Sequence, residues 1–302
     1  MRGTVACVKP ARPLPPAASL PFRSRDGSSI GVSKDRLRRG DIDHPFHGVS
    51  AAGVPGTTIR DRAQAFAPLL LPGQVFSHTT ALALRGVPVF DDGVIHVSVA
   101  FPRTPPRGKG LKGHSLHRID DVEEGGLPMS SVAAAWIESA AIASREELVA
   151  LGDAVLPART RRGLATLEEL RAAADRVGVP GLRRAQWALP RMRHGVRSRP
   201  ETHLRLAIIE AGLPEPVVEH PVVVAGGRTL HPDLFFVGYG LGLEYEGDGH
   251  RTDRRQWQHD LERKELFEDA GVRIMRVTSH DLWIARDALL ARIDGALRRR
   301  ER

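Results

Sequence analysis

The spacing of apolar positions along this chain changes repeatedly between a helical and a strand period, and these changes predict its elements. Helices are predicted where apolar residues recur every three or four positions, over 34–40, 58–71, 77–86, 129–155 as a pair, 166 onward, 198–212, 253–270 and 279 onward. Strands are predicted where apolar and polar residues alternate, over 94–99, 115–118, 217–224, 228–237, 241–246 and 272–277. The chain is therefore predicted to be an α/β protein, with the order α-β-β-β-α-β-α after residue 198.

Capping signals mark several of the predicted helix starts. Ser33 precedes a short basic helix, Thr166 is followed by Glu169, and Ser198 is followed by Glu201 with Pro200 in the first turn. A hairpin is predicted through 44–49, and a basic helix followed by a hairpin is typical of the distal part of a winged helix. A solvated turn is the alternative for this segment.

Composition favours a globular protein with a polyanionic partner. The 302 residues are enough for two domains, and 41% hydrophobic with 26% charged residues is typical of globular chains. A net charge of +8 and a pI near 10.4 favour nucleic acid as the partner. The alternative explanation of the charge is an arginine-rich composition that reflects a GC-rich genome.

The amino-terminal stretch and the cysteine count predict a cytoplasmic protein. Cys7 is the one cysteine, so the chain has no disulfide framework and no thiolate metal site. No apolar stretch reaches the roughly 18 residues of a membrane span. Prolines within the first 25 residues interrupt any signal peptide. Residues 1–29 are predicted to be unstructured.

Carboxylates stand on two strands where a half-buried strand should carry none. Asp233 leads the apolar run 234–237, and Glu244 and Glu246 flank Tyr245 on the next strand. Glu244 and Glu246 point to the same face about 6.6 Å apart. Two such charges repel by roughly 2.5 kcal/mol at an effective dielectric constant of about 20. A divalent cation removes that cost, and oxygen donors favour Mg²⁺, Mn²⁺ or Ca²⁺ over zinc.

The alternative is a solvated edge strand, with Asp233 capping a turn and Leu241, Leu243 and Tyr245 forming the one buried face. His250, which follows this strand, adds a titratable imidazole at the strand end, a frequent place for chemistry in α/β proteins.

Two further sets of residues, four histidines and a run of arginines, are not assigned to the predicted metal site. Four histidines are scattered rather than spaced as ligands, and they are interpreted as structural, namely His78, His96, His114 and His117. Arginines crowd the connector between 159 and 199 and either track phosphates or form a solvated linker. Arg197 and Arg199, at the end of this run, are taken as candidate nucleic-acid contacts.

The element order, with Pro232-Asp233 and then Glu244-x-Glu246, resembles the PD-(D/E)xK restriction-endonuclease-like nucleases. Within that superfamily, the stretch from Leu243 to His250, followed by Arg254, Arg263 and Gly271, is similar to an uncharacterised family related to the very short patch repair (Vsr) endonucleases. The resemblance covers residues 198–290. It implies a nuclease domain over 196–302, with a mixed sheet flanked by helices.

The resemblance implies roles for individual residues. Asp233 and Glu244 are expected to bind Mg²⁺ or Mn²⁺, with the carbonyl of Tyr245 as a third ligand. Glu201 matches the accessory acid of the superfamily, although it also fits the capping box. Arg254 and Arg263 are expected to contact phosphates.

The superfamily lysine is replaced in this chain. Glu246 stands in its position, as in the Vsr-like group, which also lacks a plain lysine there. His250 is then the best available base, because an imidazole with a pKa near 6.5 accepts a proton at neutral pH. A helix-capping or phosphate-contacting histidine is the alternative.

Upstream, three short stretches resemble AbiEi-like antitoxins of type IV toxin–antitoxin systems, namely Phe76 to Gly86, His96-Val-Ser-Val and Leu127-Pro-Met-Ser-Ser131. This looser resemblance implies a mostly helical α+β domain over 30–195, with a truncated winged helix.

Two classes of function follow from these resemblances. One is a metal-dependent nuclease that hydrolyses phosphodiester bonds, with DNA favoured and RNA left open. The other is a DNA-binding regulator or antitoxin whose nuclease-like domain is catalytically silent. The sequence leaves the oligomeric state open.

Overall fold

A computed structural model describes residues 13–52, 56–175, 180–247 and 254–299, with side chains from residue 262 onward in the last range. The chain divides into two compact units, Met1–Ala135 and Trp136–Arg302. This division falls before the boundary expected at 195/196. It assigns the helical segments after residue 135 to the same unit as the acidic strands.

The first unit begins with residues that were predicted to be unstructured. Within 13–29, the chain forms a 3-10 helix, Pro16–Ala18, the short strand β1, Phe22–Arg23, and most of a second 3-10 helix, Ser24–Ile30. Ala18 and Phe22 are buried against Val32 and Ile42. These apolar contacts order a segment that its prolines had suggested was irregular, whereas residues 1–12 lie outside the described residues.

A short helix and a hairpin follow in the predicted order. Ser33 accepts a hydrogen bond from the amide of Arg36 and caps α1, Lys34–Leu37. β2, Ile42–Asp43, pairs antiparallel with β3, Val49–Ala52, which also pairs with β1. The predicted helix and hairpin are confirmed.

A five-stranded sheet with two helices completes the first unit. The elements are α2 Ile59–Phe66, β4 Gln74–Phe76, α3 His78–Leu84, β5 Ile95–Ala100, β6 Leu111–Leu116, β7 Asp121–Glu124 and β8 Leu127–Ser130. The strand order is β6-β5-β4-β8-β7. β5 is the strand predicted over 94–99, and its alternating Ile95, Val97 and Val99 are buried.

The second unit opens with helices. They are α4 Val132–Ser139, which spans the boundary, α5 Arg145–Val155, α6 Leu167–Ala174 and α7 Leu182–Ala188. The predicted capping box of Thr166 with Glu169 is present. Trp136, fully buried, donates its indole hydrogen bond to the carbonyl of Leu148 over 3.0 Å.

A mixed four-stranded sheet lies at the centre of the second unit. Its elements are α8 Arg199–Glu210, β9 Val217–Val218, β10 Val222–Val223, β11 Thr229–Leu230, β12 Leu234–Phe236, β13 Leu241–Glu246, α9 Arg254–Asp269, β14 Arg273–Thr278, α10 Ser279–Trp283 and α11 Arg286–Arg298. The strand order is β14-β13-β12-β9. β9, β12 and β13 pair antiparallel, and β14 joins β13 in parallel.

The two faces of this sheet are covered by different helices. On one face, Leu241 and Leu243 of β13 share a core with Leu204 and Ile208 of α8 and with residues of α11. On the other face, Phe235 packs with Phe267 of α9. Leu241 and Leu243 are buried and Tyr245 is partly buried on this face, but β13 lies between β14 and β12 and is not the solvated edge strand of the alternative interpretation. The acidic positions of β13 lie on the α9 face.

The strands predicted over 217–224 and 228–237 differ from those observed. Each is divided, so that β10 and β11 pair with one another while β9 and β12 belong to the main sheet. Pro221 and Pro232 lie at the two divisions. Proline has no amide hydrogen for a strand ladder, which explains why pairing stops there.

The described part of the chain contains no helix of the length and apolar character needed to cross a membrane.

Candidate functional site

Asp233 and Glu244 are brought to the same place on the sheet by strand register. Leu234 opposes Leu243 in the antiparallel pair, so Asp233, one residue earlier, faces Glu244, one residue later. Directly opposed residues share a face with Cβ atoms about 5 Å apart. Pro232 packs over Gly242, where a Cβ would lie 3.1 Å from the Cβ of Pro232 and 2.6 Å from Ile274. This close approach positions Asp233 against β13.

Asp233 is nearly buried and its carboxylate is fully engaged. Arg197 donates a charged hydrogen bond to one carboxylate oxygen. The amide of Tyr245 donates to the other oxygen over 2.9 Å. Two of the predicted metal contacts, Asp233 and Tyr245, are therefore bonded to each other, through the Asp233 carboxylate and the Tyr245 backbone amide. The Tyr245 side chain packs into the core on the opposite face.

Glu244 is paired with an arginine of α9. Arg263 donates to the same carboxylate oxygen from Nε over 3.0 Å and from a terminal nitrogen over 2.8 Å. The terminal nitrogen also donates to the carbonyl of His231 over 2.7 Å. Arg263 was expected to contact phosphates, and in this structure it ties α9 to the acidic strands.

Glu201 lies at the start of α8 with only 5% of its surface exposed. Ser198 donates its hydroxyl to Glu201 over 2.9 Å, and the amide of Arg197 donates over 3.1 Å. Burial, together with the negative charge of Asp233, raises the pKa of Glu201 to about 7. Ser198 therefore caps the helix, while the Glu201 carboxyl binds the residues just before it and is affected by the charge of Asp233, a predicted metal ligand.

Glu219 is a further acid that the sequence interpretation missed. Its side chain is 7% exposed, and Arg197 Nε lies 3.4 Å from its Oε1. That oxygen makes no hydrogen bond among the described residues. Its backbone has φ of +47°, a left-handed conformation that non-glycine residues rarely adopt. A charge within the apolar run 217–224, just before His220-Pro221, was the available signal.

Four carboxylates thus form what we call the acidic cluster, namely Glu201, Glu219, Asp233 and Glu244. Arg197 lies among three of them, since it contacts Asp233 and Glu219 and its amide binds Glu201. Arg263 contacts the fourth. Partly buried carboxylates are costly without counter-charges, and here the two guanidinium groups supply them.

Other predicted site residues lie apart from the acidic cluster or outside the described structure. Glu246 is exposed and pairs with Arg276 of β14 over 2.6 Å. Arg199 binds Glu147 of α5 through two nitrogens, and His203 also contacts that carboxylate. His250 and the side chain of Arg254 lie outside the described residues.

Three of the four histidines interpreted as structural converge in the first unit, and we call them the histidine cluster: His78, His96 and His114. Among the residues that the structure describes, these are the ones whose ligand atoms lie close enough, within 4.8 Å of one another, for three side chains to share an ion. Burial lowers the pKa of all three imidazoles, that of His114 to about 4. His117 stays apart, exposed beside Phe101.

The chemistry of the site is the basis for a functional argument, because comparison with known proteins supplies none. No protein-family model matches the chain, and no curated protein matches it significantly.

Proposed function

We propose that the second unit hydrolyses phosphodiester bonds in nucleic acid with Mg²⁺ or Mn²⁺, and that DNA is the favoured substrate. The observation that carries this proposal is the opposition of Asp233 and Glu244 across β12 and β13, with Glu201 and Glu219 beside them. Acids gathered on neighbouring strands, here neutralised by Arg197 and Arg263, are frequent at functional sites that take a positively charged ligand.

The order of elements supports the same proposal. A helix is followed by three antiparallel strands of one sheet, a second helix, and a strand that joins β13 in parallel. This is the order on which the resemblance to restriction-endonuclease-like nucleases rests. A net charge of +8 also suits a polyanionic substrate.

The donor chemistry of the acidic cluster suits a hard divalent cation, although no three of its described carboxylates lie within 4.8 Å of one another while the arginines are bound. All the candidate ligands are oxygens, and one buried oxygen of Glu219 lacks a hydrogen bond among the described residues. Asp233 and Glu244 would hold the ion, with the carbonyl of Tyr245 as a further oxygen donor. The ion, when bound, would polarise the scissile phosphate and lower the pKa of a bound water.

The two arginines would have to change partners in the working site. Arg197 and Arg263 neutralise Asp233 and Glu244 in this structure. Guanidinium groups bind phosphate as readily as carboxylate. In the proposed complex they turn from the acids to the backbone phosphates of the substrate, which exposes the acids and positions the scissile bond.

Glu201 is the described acid best placed to exchange a proton near the site. Its carboxyl is held by Ser198 and by the amide of Arg197, so its position is fixed. Glu246 and His250 are the other candidates to take the proton of the attacking water.

A catalytically silent DNA-binding regulator is the second candidate. It is favoured by the pairing of Glu246, at the lysine position, with Arg276, and by the arginines already bound to Asp233 and Glu244. In that case Arg197 and Arg263 keep the acids neutralised, and basic surface residues bind DNA.

Cleavage assays separate the two candidates. The full-length protein is incubated with Mg²⁺ or Mn²⁺ and plasmid, single-stranded DNA or RNA. We expect Asp233→Asn and Glu244→Gln to lower the cleavage rate at least a hundredfold, because each removes a ligand charge. Glu210→Gln is the matched control, since Glu210 is an exposed, arginine-paired acid of α8.

The outcomes are distinct. Metal-dependent cleavage of any substrate that both site variants leave unchanged would overturn the assignment of Asp233 and Glu244. No cleavage by the wild type, combined with salt-dependent DNA binding, would favour the regulator. Cleavage of RNA alone would redirect the proposal to an RNA substrate.

A further inference from the structure

The histidine cluster is built from three separate elements of the first unit. His78 is the first residue of α3, His96 lies in β5, and His114 lies in the neighbouring strand β6. The rings of His78 and His114 stack with centroids 3.8 Å apart, and His96 stacks on both at 5.1 to 5.2 Å. Six polar ring atoms are thus concentrated where a core would ordinarily contain apolar side chains.

Hydrogen bonds orient the rings of this cluster. Asp92 lies 3.0 Å from Nε2 of His96, so that nitrogen carries the proton and Nδ1 holds a lone pair. This Nδ1 points at Nε2 of His114 over 2.9 Å. A carboxylate on the far nitrogen of an imidazole is the arrangement that usually orients a metal-ligating histidine.

The histidine cluster is also unusual in its burial and in the backbone conformation of one of its residues. His78 and His96 are buried in the first unit, and Ser77, Ser98 and Thr80 around them are buried as well. Ser77 lies 2.9 Å from Nδ1 of His78 and accepts a hydrogen bond from Ser98 over 2.7 Å. His78 also has φ of +52°, a conformation that costs energy and is kept where the surroundings or a ligand require it.

We propose that His78, His96 and His114 bind one transition-metal ion of the Zn²⁺ class, with Asp92 as the positioning residue for His96. Neutral imidazoles are preferred ligands for Zn²⁺, Co²⁺, Ni²⁺ and Cu²⁺ and poor ligands for Mg²⁺. Three protein ligands leave a fourth tetrahedral position for water. The bound ion joins α3, β5 and β6 and stabilises the first unit.

The distances require little rearrangement. Zinc binds imidazole nitrogen at about 2.0 to 2.1 Å, which places neighbouring nitrogens of a tetrahedral site about 3.3 Å apart. The nitrogens of His96 and His114 are 2.9 Å apart, and the ligand atoms of all three histidines lie within 4.8 Å. Binding of the ion requires rotation of the rings, which replaces the hydrogen bond between His96 and His114 and separates the stacked rings of His78 and His114.

Metal titration of the full-length, untagged protein tests the proposal. After removal of metal with a chelator, Co²⁺ is added and its visible ligand-field absorption is followed, and Zn²⁺ is then added as a competitor. We expect one equivalent of Co²⁺ with the intense absorption of a tetrahedral site, displacement by Zn²⁺, and a rise in Tm with Zn²⁺.

Variants locate the site. His114→Gln and His96→Gln are each expected to weaken Co²⁺ binding at least tenfold. His117→Gln is the matched control, because His117 lies three residues from His114 but outside the cluster and is exposed. Asp233→Asn is expected to leave the intense tetrahedral Co²⁺ absorption unchanged, which separates this site from the acidic cluster and from the proposed nuclease activity.

Three results would overturn the proposal. The first is that the wild type binds no stoichiometric Co²⁺, a result that does not depend on the folding of any variant. The second is that His117→Gln weakens binding as much as His114→Gln. The third is that Asp233→Asn abolishes binding, which would place the ion at the acidic cluster instead.

Discussion

The acidic cluster and the histidine cluster stabilise their buried ionisable groups in opposite ways. The carboxylates of Asp233 and Glu244 remain beside guanidinium groups that neutralise them. The imidazoles of the histidine cluster are kept uncharged by burial; His96 bonds to His114 and to Asp92, and His78 stacks on both rings. One cluster is balanced by opposite charges, and the other avoids charge.

Because of this difference, we expect the two clusters to bind a cation in different ways. At the acidic cluster, an incoming ion has to replace arginines, so binding is coupled to a change of arginine partner. At the histidine cluster the rings are uncharged, so an incoming ion displaces no cation. The comparison therefore predicts that Mg²⁺ binding depends on substrate phosphates, whereas Zn²⁺ binding does not.

The largest expected effect comes from removing Arg197. Arg197→Met leaves Asp233 and Glu219 nearly buried without their shared counter-charge, and we expect the free energy of unfolding to fall by about 3 kcal/mol without metal. Mg²⁺ should restore part of this loss, because the vacated acids then bind the ion. Urea denaturation with and without Mg²⁺ measures both effects.

Arg286→Met is the control for this substitution, because Arg286 pairs with Glu210 on the exposed surface. Its loss should change stability by less than about 1 kcal/mol. If Arg197→Met were as stable as the wild type, Arg197 would not be the residue that offsets the negative charge of Asp233 and Glu219.

A smaller effect is expected from the pH dependence of Glu201. Burial, with the charge of Asp233, raises its pKa from 4.5 to about 7. The folded state then binds more protons than the unfolded state, so stability is full below about pH 4.5 and declines as pH rises towards 7. We expect the free energy of unfolding to fall over this pH range as the Glu201 carboxyl loses its proton.

Glu201→Gln should remove this contribution to the slope. The measurement is the free energy of unfolding between pH 4.5 and 8 for the wild type, Glu201→Gln and the surface control Glu210→Gln. The slope is the readout, because a lost hydrogen bond shifts stability equally at every pH. An unchanged slope in Glu201→Gln would mean that the pKa of the Glu201 carboxyl is not raised in the folded protein.

The smallest effect is expected at Glu246. Its side chain is 44% exposed, and that of its partner Arg276 is 45% exposed, so solvent screens the pair. Glu246→Gln should change the free energy of unfolding by less than about 0.5 kcal/mol. A loss above 1.5 kcal/mol in urea denaturation would show that Glu246 belongs energetically to the buried acidic cluster.

Local signals in the sequence were sufficient for much of the fold. Ser33 and Thr166 predicted helix starts, because a cap depends on residues within one turn. The alternation of apolar and acidic residues predicted the strand over 241–246, with Glu244 and Glu246 on one face. These features all depend on neighbours in the chain.

The features that were missed depend on distant pairs. The contact of Arg197 with Asp233 joins residues 36 positions apart, and no local pattern indicates which arginine of a basic run reaches an acid. His96 and His114, 18 positions apart, meet because β5 and β6 pair in parallel with His114 opposite Ser98. Spacing along the chain had made these histidines look unrelated.

The buried pair of Arg205 and Asp153 has a consequence for the precision of the acidic cluster. Both side chains are fully buried, 3.0 Å apart, between α8 and α5. Sliding α8 by one residue would move Arg205 about 1.5 Å along the helix axis and turn it by about 100°. Arg205 and Asp153 would then be buried without each other as ion-pair partners, so α8 can pack against α5 in only one register. Glu201, one turn earlier on the same helix, is thereby held at a constant height above the sheet.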